Sequence, residues 1–419
     1  MSVLYRRLVP DTPAIVRENG VDGVDVVVVG GGPAGLATAA EAARGGLRVV
    51  VLERGHAIGE PVRTSGGSFI RPLRRLGLPA SCWHPVHSIR VIGPTTDVAK
   101  RYRVARGCVL DVRRTYQWLA ARAVDAGAEI RLKAHVEGAL REGQRFTGVR
   151  ARDPFHGAQD LAARVVVDAS GHTGFLGREA GLRPANERSA VGMEQELYAP
   201  GYDQDEAVFW LGDDVAPGGY GWAFPVGEGR VRLGVGVVRP ESDAEPRVLL
   251  DGLHAAFASL LAPGTPASPI EMHSGLMPVL APTAATLVGN GFVSVGDAAG
   301  QGSTLLGEGI RYAIQAGRLA GRAIVSARGD YTPAGLSSYP KEWKRQMGRD
   351  LAISYAVNTR ICSFHDDDWD RVVRRLQRLT PRQAARVFAS DFKPRYAVGA
   401  LLTDPSLVKS LLRAARSRM

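Results

Sequence analysis

The residues with the most evident chemistry form a glycine-rich turn near the start of the chain. Four valines at 26–29 precede the run Gly-Gly-Gly-Pro-Ala-Gly at 30–35, and Glu53 ends the next apolar stretch. Glycines in this pattern permit a tight turn, bring the backbone close to a pyrophosphate, and let a helix pack on the strand. The proline suits the first helical turn, where exposed amides attract phosphate oxygens. The residues that we predict to hold a nucleotide here are Gly30, Gly32, Pro33, Ala34, Gly35 and Glu53.

The acidic residue of this unit narrows the choice of nucleotide. A carboxylate at position 53 can accept hydrogen bonds from both hydroxyls of an adenosine ribose, and it repels a 2′-phosphate. The pattern therefore predicts FAD or NAD at this site, and excludes NADP as the tightly held nucleotide.

A second glycine-rich motif lies far along the chain and favours a flavin. The run Gly-Asp-Ala-Ala-Gly at 296–300 follows an apolar stretch, and Gly307, Gly309 and Ile310 come soon after it. We expect Asp297 to accept a hydrogen bond from a ribityl hydroxyl. A helix that begins at these glycines can direct its amides at the pyrimidine carbonyl and stabilise the negative charge of a reduced flavin. A nicotinamide enzyme does not need this second element, so the sequence favours FAD over NAD.

Hydrophobic spacing places both motifs on a mixed α/β scaffold. Runs of β-branched residues predict buried parallel strands, and apolar residues at helical spacing predict helices. Residues 188–280 instead alternate between short apolar stretches and glycine or proline turns, which predicts a largely antiparallel sheet. The predicted strands are 26–29, 47–52, 129–133 and 163–168, with a hairpin broken near 142–143; the predicted helices are 114–127 and 309–327, and the chain is helical and basic from 337.

We therefore predict an α/β fold with α+β elements: a Rossmann-like FAD-binding domain, a β-sheet substrate domain and a helical C-terminal tail. A chain of 419 residues exceeds one ordinary core, which agrees with such a division. The predicted boundaries are 1–75, 105–180 and 281–330 for the FAD-binding domain, 76–104 and 181–280 for the substrate domain, and 331–419 for the helical region.

Composition and motif content argue against several other classes of protein. A hydrophobic content of 45% with 23% charged residues is typical of a soluble globular protein, and no stretch reaches the length of a membrane span. Cys82, Cys108 and Cys362 show no metal-ligand spacing, which predicts buried thiols in a reducing cytoplasm. No other group has the spacing of a metal site. The absence of Gly-x-Ser-x-Gly and Cys-x-x-Cys argues against hydrolase and dithiol chemistry.

The net charge of +11 is concentrated towards the C-terminus, where residues 331–419 hold 17 Lys or Arg and 8 Asp or Glu. A solvated basic helical face explains this charge, and attraction to anionic lipid headgroups or an acidic substrate is the alternative. Nucleic acid is not a predicted partner, because no aromatics are interleaved with the basic residues. We predict a cytoplasmic protein, with peripheral contact at the inner face of the membrane as a further hypothesis. The residues that suggest such contact are Leu407, Lys409, Leu411, Leu412, Arg413 and Arg416.

Four stretches of the chain together resemble the geranylgeranyl reductase family of FAD-dependent oxidoreductases, which shares the p-hydroxybenzoate hydroxylase fold. The most discriminating stretch is Tyr-Gly-Trp-Ala-Phe-Pro at 220–225, because Tyr-x-Trp-x-Phe-Pro is similar to the signature of prenyl reductases. The other three are the first glycine turn with Glu53 and Arg54, the loop at 62–67, and Asp297 with the glycines at 307 and 309. Further cofactor-binding residues that the resemblance implies are Arg54, Arg63, Arg113 and Val136.

The resemblance also implies which residues form the substrate cavity. Tyr220, Trp222 and Phe224 alternate along a strand and so project to one face, as an apolar wall or as core filling. Ser65 and Gly66 are the remaining predicted substrate residues. Ser65 stands where prenyl reductases usually carry a cysteine, and Arg113 lies one step from the usual position of an arginine. Such departures near the reactive face of the flavin bear on the substrate more than on the cofactor.

The predicted function is reduction of carbon–carbon double bonds in an isoprenoid chain or an isoprenoid-derived natural product. Reduced flavin N5 delivers the hydride, and Tyr220 is the candidate proton donor. NADPH or another donor would reduce the FAD transiently, since the chain has no second glycine fingerprint. Two alternatives stay open: a flavin monooxygenase or halogenase, and a non-redox flavin-dependent cyclase or isomerase. A halogenase is disfavoured because Trp-x-Trp-x-Ile-Pro is replaced by the sequence at 220–225.

Overall fold

The computed structural model describes residues 23–392. The outer parts of the predicted terminal segments, 1–22 and 393–419, lie outside the described residues. The same is true of the basic stretch at 407–416 that suggested membrane contact.

The first sheet carries the first glycine turn at its centre. Its strand order is β17-β18-β11-β1-β2-β8, and β9 and β10 extend it as an antiparallel hairpin from β11. The neighbours of β1 run parallel to it, and Val26, Val27 and Val28 are fully buried. The predicted buried parallel strands are thereby confirmed. The strands are β1 (Val24–Val29), β2 (Val49–Glu53), β8 (Glu129–Leu132), β9 (His135–Glu142), β10 (Arg145–Asp153), β11 (Gly157–Asp168), β17 (Val288–Gly289) and β18 (Phe292–Ser294).

The second sheet forms the other half of the molecule, in the order β16-β12-β15-β14-β13-β5-β6. Its pairings are antiparallel except between β13 and β5, which confirms the predicted antiparallel character of 188–280. A third sheet of β3, β4 and β7 lies beside it. The strands are β3 (Gly67–Phe69), β4 (Trp83–Val86), β5 (Ser88–Ile92), β6 (Asp97–Arg101), β7 (Gly107–Leu110), β12 (Ser189–Tyr198), β13 (Glu206–Trp210), β14 (Gly219–Gly227), β15 (Arg230–Arg239) and β16 (Ser268–Pro278).

The helices cover one face of the first sheet and part of the second. The predicted helix 114–127 is confirmed as α3, which begins two residues earlier because Asp111 caps it by accepting from the Arg114 amide. The predicted helix 309–327 is confirmed as α6. The helices are α1 (Pro33–Arg44), α2 (Ile70–Arg75), α3 (Val112–Asp125), α4 (Phe175–Glu179), α5 (Pro246–Ala258), α6 (Ile310–Ser326), α7 (Ser338–Trp343), α8 (Arg349–Ile361), α9 (Asp366–Arg378) and α10 (Pro381–Phe388).

Helices α1 and α6 approach each other closely because glycines lie where they cross. A Cβ built on Gly317 would lie 2.2 Å from the carbonyl oxygen of Ala34, and one on Gly321 would lie 2.7 Å from that of Thr38. Each helix begins at one of the two glycine-rich motifs. Their contact therefore brings both motifs to the same edge of the first sheet.

The C-terminal helices pack over the second sheet, and a buried aspartate ties α9 to it. Asp370 accepts hydrogen bonds from the Thr95 amide and from the hydroxyls of Thr95 and Thr96. Burial acts to raise the pKa of Asp370, but the three hydrogen bonds outweigh it and lower that pKa to about 2. No helix within 23–392 is long and apolar enough to cross a membrane. All three cysteines are buried thiols, as predicted.

We expect Asp370→Ala to lower the free energy of unfolding by about 1–3 kcal/mol, because two threonine hydroxyls and one amide lose a charged acceptor. Urea unfolding at pH 7 measures the change, and Asp367→Ala, at an exposed position on α9, is the control. The contribution is present above the unfolded-state pKa of about 4 and is lost as the pH falls towards the folded value. Equal stability of the two variants at pH 7 would contradict the assignment.

Candidate active site

A continuous cavity of about 1400 Å³ lies between the glycine turns and the second sheet. Pockets for one small ligand usually measure about 300–1,000 Å³, so this volume is large enough for a dinucleotide and a second molecule. The backbone of the two glycine motifs lines one part, and apolar side chains of the second sheet and C-terminal helices line the other. The cavity therefore has a polar half and an apolar half.

The first glycine turn has the close contacts that its sequence predicts. Gly30 has a φ of +113°, and a Cβ there would lie 2.2 Å from the Ala169 carbonyl oxygen. A Cβ on Gly35 would lie 2.1 Å from the Gly30 oxygen, so α1 packs directly on the turn. By contrast, no atom lies within 4 Å of the Cβ position of Gly32. The backbone at Gly32 faces open cavity, where a pyrophosphate can approach it.

Glu53 is held in place at the end of β2 by two backbone amides. The Gly31 amide donates to its Oε2 and the Gly55 amide to its Oε1, each at 2.7 Å. Each carboxylate oxygen has a further lone pair free to accept, and Glu53 lines the cavity. The geometry fits the predicted grip on the two ribose hydroxyls.

The second motif contributes the carboxylate of Asp297, a hydrogen-bond acceptor without a donor among the described residues. Among residues 23–392, no hydrogen bond to its carboxylate is found, although Asp297 lines the cavity. Burial raises the pKa of this carboxyl to about 6, and the charge of Arg183 opposes the rise. A Cβ on Gly309 would lie 3.7 Å from its Oδ1, so the carboxylate stands beside the start of α6. An unpaired acceptor here fits a ligand hydroxyl.

The loop before α6 is fixed by a buried glutamate. Glu308 Oε1 accepts from the Ser68 hydroxyl and from Arg311 Nε, both at 2.7 Å. Gly307 before it has a φ of +66°, and Gly309 is the N-cap of α6. The loop is thereby tied to β3, with the amides of α6 at the cavity.

The structure brings most of the predicted site residues to this one cavity, whereas four do not line it. Gly35 lies beneath the turn. Arg113 pairs with Glu60 (2.7 Å) and Glu271 (3.2 Å). Gly66 and Phe224 line a void of about 60 Å³ that Tyr220 also borders. The predicted residues on the main cavity are Gly30, Gly32, Pro33, Ala34, Glu53, Arg54, Arg63, Ser65, Val136, Tyr220, Trp222, Asp297, Gly307, Gly309 and Ile310.

The three predicted aromatics share one face of β14, as expected. Ring centroids are 5.6 Å apart for Tyr220 and Trp222, and 6.1 Å apart for Trp222 and Phe224. The Tyr220 hydroxyl donates to the Leu306 carbonyl oxygen at 2.7 Å, and burial, with the charge of Glu194, raises the pKa of Tyr220. Both effects hinder proton donation from this hydroxyl. The contacts of Tyr220 therefore favour a structural role in the aromatic wall of the cavity.

Sequence reasoning missed the residues that continue this face across the sheet. Directly opposed residues in neighbouring antiparallel strands point to the same side. The pairings create one row from Trp222 through Gly234 and Glu194 to His273. A parallel row runs from Tyr220 through Gly236, Gly192 and Gly275. The alternating glycines at 234 and 236 were the available signal, but their partners depend on strand register.

The missing side chains of these glycines make room for the indole of Trp222. A Cβ on Gly234 would lie 2.4 Å from that ring. The indole Nε1 donates to Glu194 Oε2 at 3.0 Å, and His273 Nδ1 lies 2.8 Å from Glu194 Oε1. Glu194 and His273 are each 3% exposed, and both line the cavity. The indole is thus fixed at its Nε1 edge by a buried acid–imidazole pair.

A third row runs from Phe224 through Arg232 and Glu196 to Glu271, and most of its side chains are charged. This row contacts the loop 63–66. Glu196 accepts from Arg230 at 2.9 Å and Arg232 at 3.0 Å, and Arg232 also donates to the Ser65 carbonyl oxygen at 2.8 Å. Ligand atoms of Glu196, Glu271 and His273 lie within 4.8 Å of one another, a spacing that could hold a metal ion. Arginines already neutralise both glutamates, so the geometry favours an ion-pair network over a metal centre.

The C-terminal helices supply the apolar end of the cavity. Phe388 of α10 stacks on Phe209 of β13, with centroids 5.9 Å apart and ring planes 8° apart. The remaining lining is mostly aliphatic until the helices reach solvent, where arginines appear. The lining residues of this end include Ile353, Val357, Ile361, Val372, Leu376, Leu379, Val387, Arg375, Arg378 and Arg386.

Comparison with known proteins identifies the family. Residues 25–212 match the FAD dependent oxidoreductase family, and residues 189–275 match the geranylgeranyl reductase catalytic domain. The second match contains the three rows of the second sheet.

Two curated relatives come from Methanopyrus kandleri. Digeranylgeranylglycerophospholipid reductase 1 is 35% identical over 77% of this chain and 86% of its own length. Digeranylgeranylglycerophospholipid reductase 2 is 31% identical over 92% of this chain and 98% of its own. The solved structure of a geranylgeranyl bacteriochlorophyll reductase-like protein from Thermoplasma acidophilum gives a TM-score of 0.82 at 26% identity, covering 94% of this chain and 99% of that one. The chain belongs to the geranylgeranyl reductase family of FAD-dependent oxidoreductases.

Proposed function

We propose that the protein is an FAD-dependent reductase that saturates carbon–carbon double bonds of an isoprenoid chain or an isoprenoid-derived compound. The observation that carries this proposal is that two glycine turns and an aromatic, apolar space share one cavity. The match of residues 189–275 to the geranylgeranyl reductase catalytic domain favours a reductase over a monooxygenase, halogenase or isomerase. Each of those alternatives would use a similar cofactor site.

Different residues of the polar half hold different parts of FAD. Glu53 binds the adenosine ribose, and the open backbone at Gly32 receives the pyrophosphate at the start of α1. Asp297 accepts from the ribityl chain, while α6 directs its first amides at the flavin ring. When bound, FAD supplies the hydride for the reaction. The protein orients the alkene and excludes water through the walls described above.

The apolar half determines the class of substrate. A wall of aromatic and aliphatic side chains, closed by α8, α9 and α10, suits a polyprenyl chain better than a compact polar ring. Three arginines (Arg375, Arg378 and Arg386) line the solvent end, where Arg386 pairs with Asp391 at 3.8 Å. This end therefore carries a net positive charge, which suits an anionic headgroup. The related reductases are named for a prenylated glycerophospholipid. We propose an amphiphilic prenyl lipid with its chain in the cavity.

The electron donor and the cellular location complete the proposal. NADPH or another donor reduces the cofactor in a transient encounter, in keeping with a single glycine fingerprint in the sequence. The protein works in the cytoplasm, with the basic C-terminal region at the inner face of a membrane that carries its lipid substrate.

Glu53→Gln tests the cofactor site. We expect FAD binding to weaken by about 10- to 100-fold, because hydrogen bonds to a charged group contribute about 1.5–3 kcal/mol. The dissociation constant follows from the flavin absorbance retained after dialysis and back-titration. Glu129→Gln, an acid at the adjacent strand β8 with 40% of its side chain exposed, is the matched control. Unchanged FAD affinity in Glu53→Gln would refute the assignment.

Anaerobic single turnover tests the reaction. Chemically reduced enzyme is mixed with geranylgeranyl diphosphate or a geranylgeranyl glycerophospholipid, and flavin absorbance and product mass are followed. We expect one alkene saturated for each flavin reoxidised, and no reoxidation by the fully saturated lipid. Reoxidation only after oxygen is admitted, with oxygen in the product, would establish a monooxygenase. Product rearranged without any change in the flavin would establish an isomerase.

A further inference from the structure

Saturation of an alkene consumes a proton as well as a hydride, and an apolar cavity that excludes water needs a route for that proton. Tyr220 is poorly placed to supply it, because its hydroxyl is committed to a carbonyl oxygen. The row that runs from Trp222 to His273, together with the neighbouring Glu271, contains groups that can carry protons and reach solvent.

The inner end of this route is Glu194. Its Oε1 lies 2.8 Å from His273 Nδ1, and its Oε2 accepts from the Trp222 indole at 3.0 Å. Glu194 is almost fully buried, yet it borders the cavity beside the aromatic wall. Its carboxyl is therefore within reach of a molecule that lies against Trp222.

The outer end of the route is Glu271. Its Oε1 lies 3.4 Å from His273 Nε2, a buried nitrogen with no hydrogen-bond partner among the described residues. The Glu271 side chain is 36% exposed, and it also pairs with Arg113 at 3.2 Å. A carboxylate at this position connects the imidazole to solvent. The three groups form a path from the surface to the cavity wall, and its longest step is the 3.4 Å contact between His273 Nε2 and Glu271 Oε1.

We propose that Glu194, His273 and Glu271 form a proton relay in which Glu194 is the acid that protonates the alkene. This inference rests on the proposed reductase function. Hydride from the reduced cofactor forms one new C–H bond and brings two electrons. The protonated His273 first passes its Nδ1 proton to Glu194, and the electron pair of the former π bond then takes that proton and forms the second C–H bond. Glu271 returns a proton from water to His273. The cofactor is oxidised by two electrons and the alkene is reduced by two.

The charges around His273 favour the protonated form of its imidazole. Burial and the charge of Arg232 on β15 act to lower the pKa of His273. The hydrogen bond and charge of Glu194 on β12, together with Glu271 on its own strand, outweigh them and raise it above 6.5. Glu196 also stands close by but is paired with Arg230 and Arg232. The imidazole is therefore still protonated when an ordinary histidine would have lost its proton.

Two conservative variants test the relay in the FAD-bound enzyme. Glu194→Gln keeps the size of the side chain, and we expect it to slow single-turnover flavin reoxidation by prenyl substrate about 100-fold, as for loss of a general acid. His273→Gln should slow reoxidation and abolish the wild-type decline in rate as the pH rises through the His273 pKa. Reduction of the flavin by dithionite should be unchanged in both. His156→Gln removes a second histidine–carboxylate pair, with Asp153 at 2.9 Å, that does not line the cavity, and should match wild type.

Histidine NMR titration gives a readout that does not depend on turnover. We expect the pKa of His273 to exceed 6.5 in the wild type and to fall in Glu194→Gln. A His273 pKa that is the same in both proteins would overturn the relay, even if no prenyl substrate is turned over. Flavin reoxidation within twofold of wild type in Glu194→Gln would also overturn it. If wild-type enzyme fails to reduce prenyl substrates but the His273 pKa depends on Glu194, the proposed reductase function is wrong, whereas the electrostatic coupling of Glu194 to His273 is confirmed.

Discussion

The close contact between α1 and α6 is the constraint on which the rest of the site depends. Glycines 317 and 321 let the two helix backbones approach within distances that any side chain would forbid. Each helix starts at a glycine motif, so the contact sets the distance between the two motifs. A Cβ on Gly296 would lie 2.8 Å from the Cβ of Ala34, which shows how tightly the motifs meet. The contact thereby keeps both motifs on the lining of one cavity.

Glycines also shape the second sheet, because the side chains that they lack leave room on its cavity face. Gly192, Gly234, Gly236 and Gly275 replace side chains on the face of the sheet that looks into the cavity. A glycine within a strand costs roughly 0.5–1 kcal/mol relative to alanine where an alanine would fit. No alanine fits at 234 or 275, where a Cβ would lie 2.4 Å from the Trp222 ring and 2.0 Å from the Arg63 carbonyl oxygen. The arrangement gives a flat floor, on which the indole of Trp222 lies, and Gly275 lets the Arg63 carbonyl oxygen approach closely. Ring contacts along β14 and the Trp222–Glu194 hydrogen bond hold the indole on this surface.

Local sequence patterns predicted the parts of the site that a short segment determines. The valine strand, the turn at 30–35, Glu53, Asp297 and the aromatic face of β14 each follow from neighbouring residues. Glu194 and His273 lie 79 residues apart, and only the register of β16 on β12 makes them neighbours. The C-terminal helices were predicted as helices, but their contact with the second sheet depends on tertiary anchors such as Asp370 with Thr95. Arg113 was assigned to the cofactor by resemblance, whereas its salt bridges commit it to Glu60 and Glu271.

The position of the Glu194–His273 pair is difficult to explain by stability alone. A buried ion pair gains Coulomb energy but loses hydration, and apolar residues of similar size often stabilise a protein as well or better. Here the pair lies beside the aromatic wall, at the edge of the Trp222 indole. The neighbouring row of the sheet already carries an arginine–glutamate network. Apolar residues at these two positions would leave the Trp222 indole without its acceptor. Retention of two titratable groups, with a third that reaches solvent, is better explained by the proton that each reduction consumes.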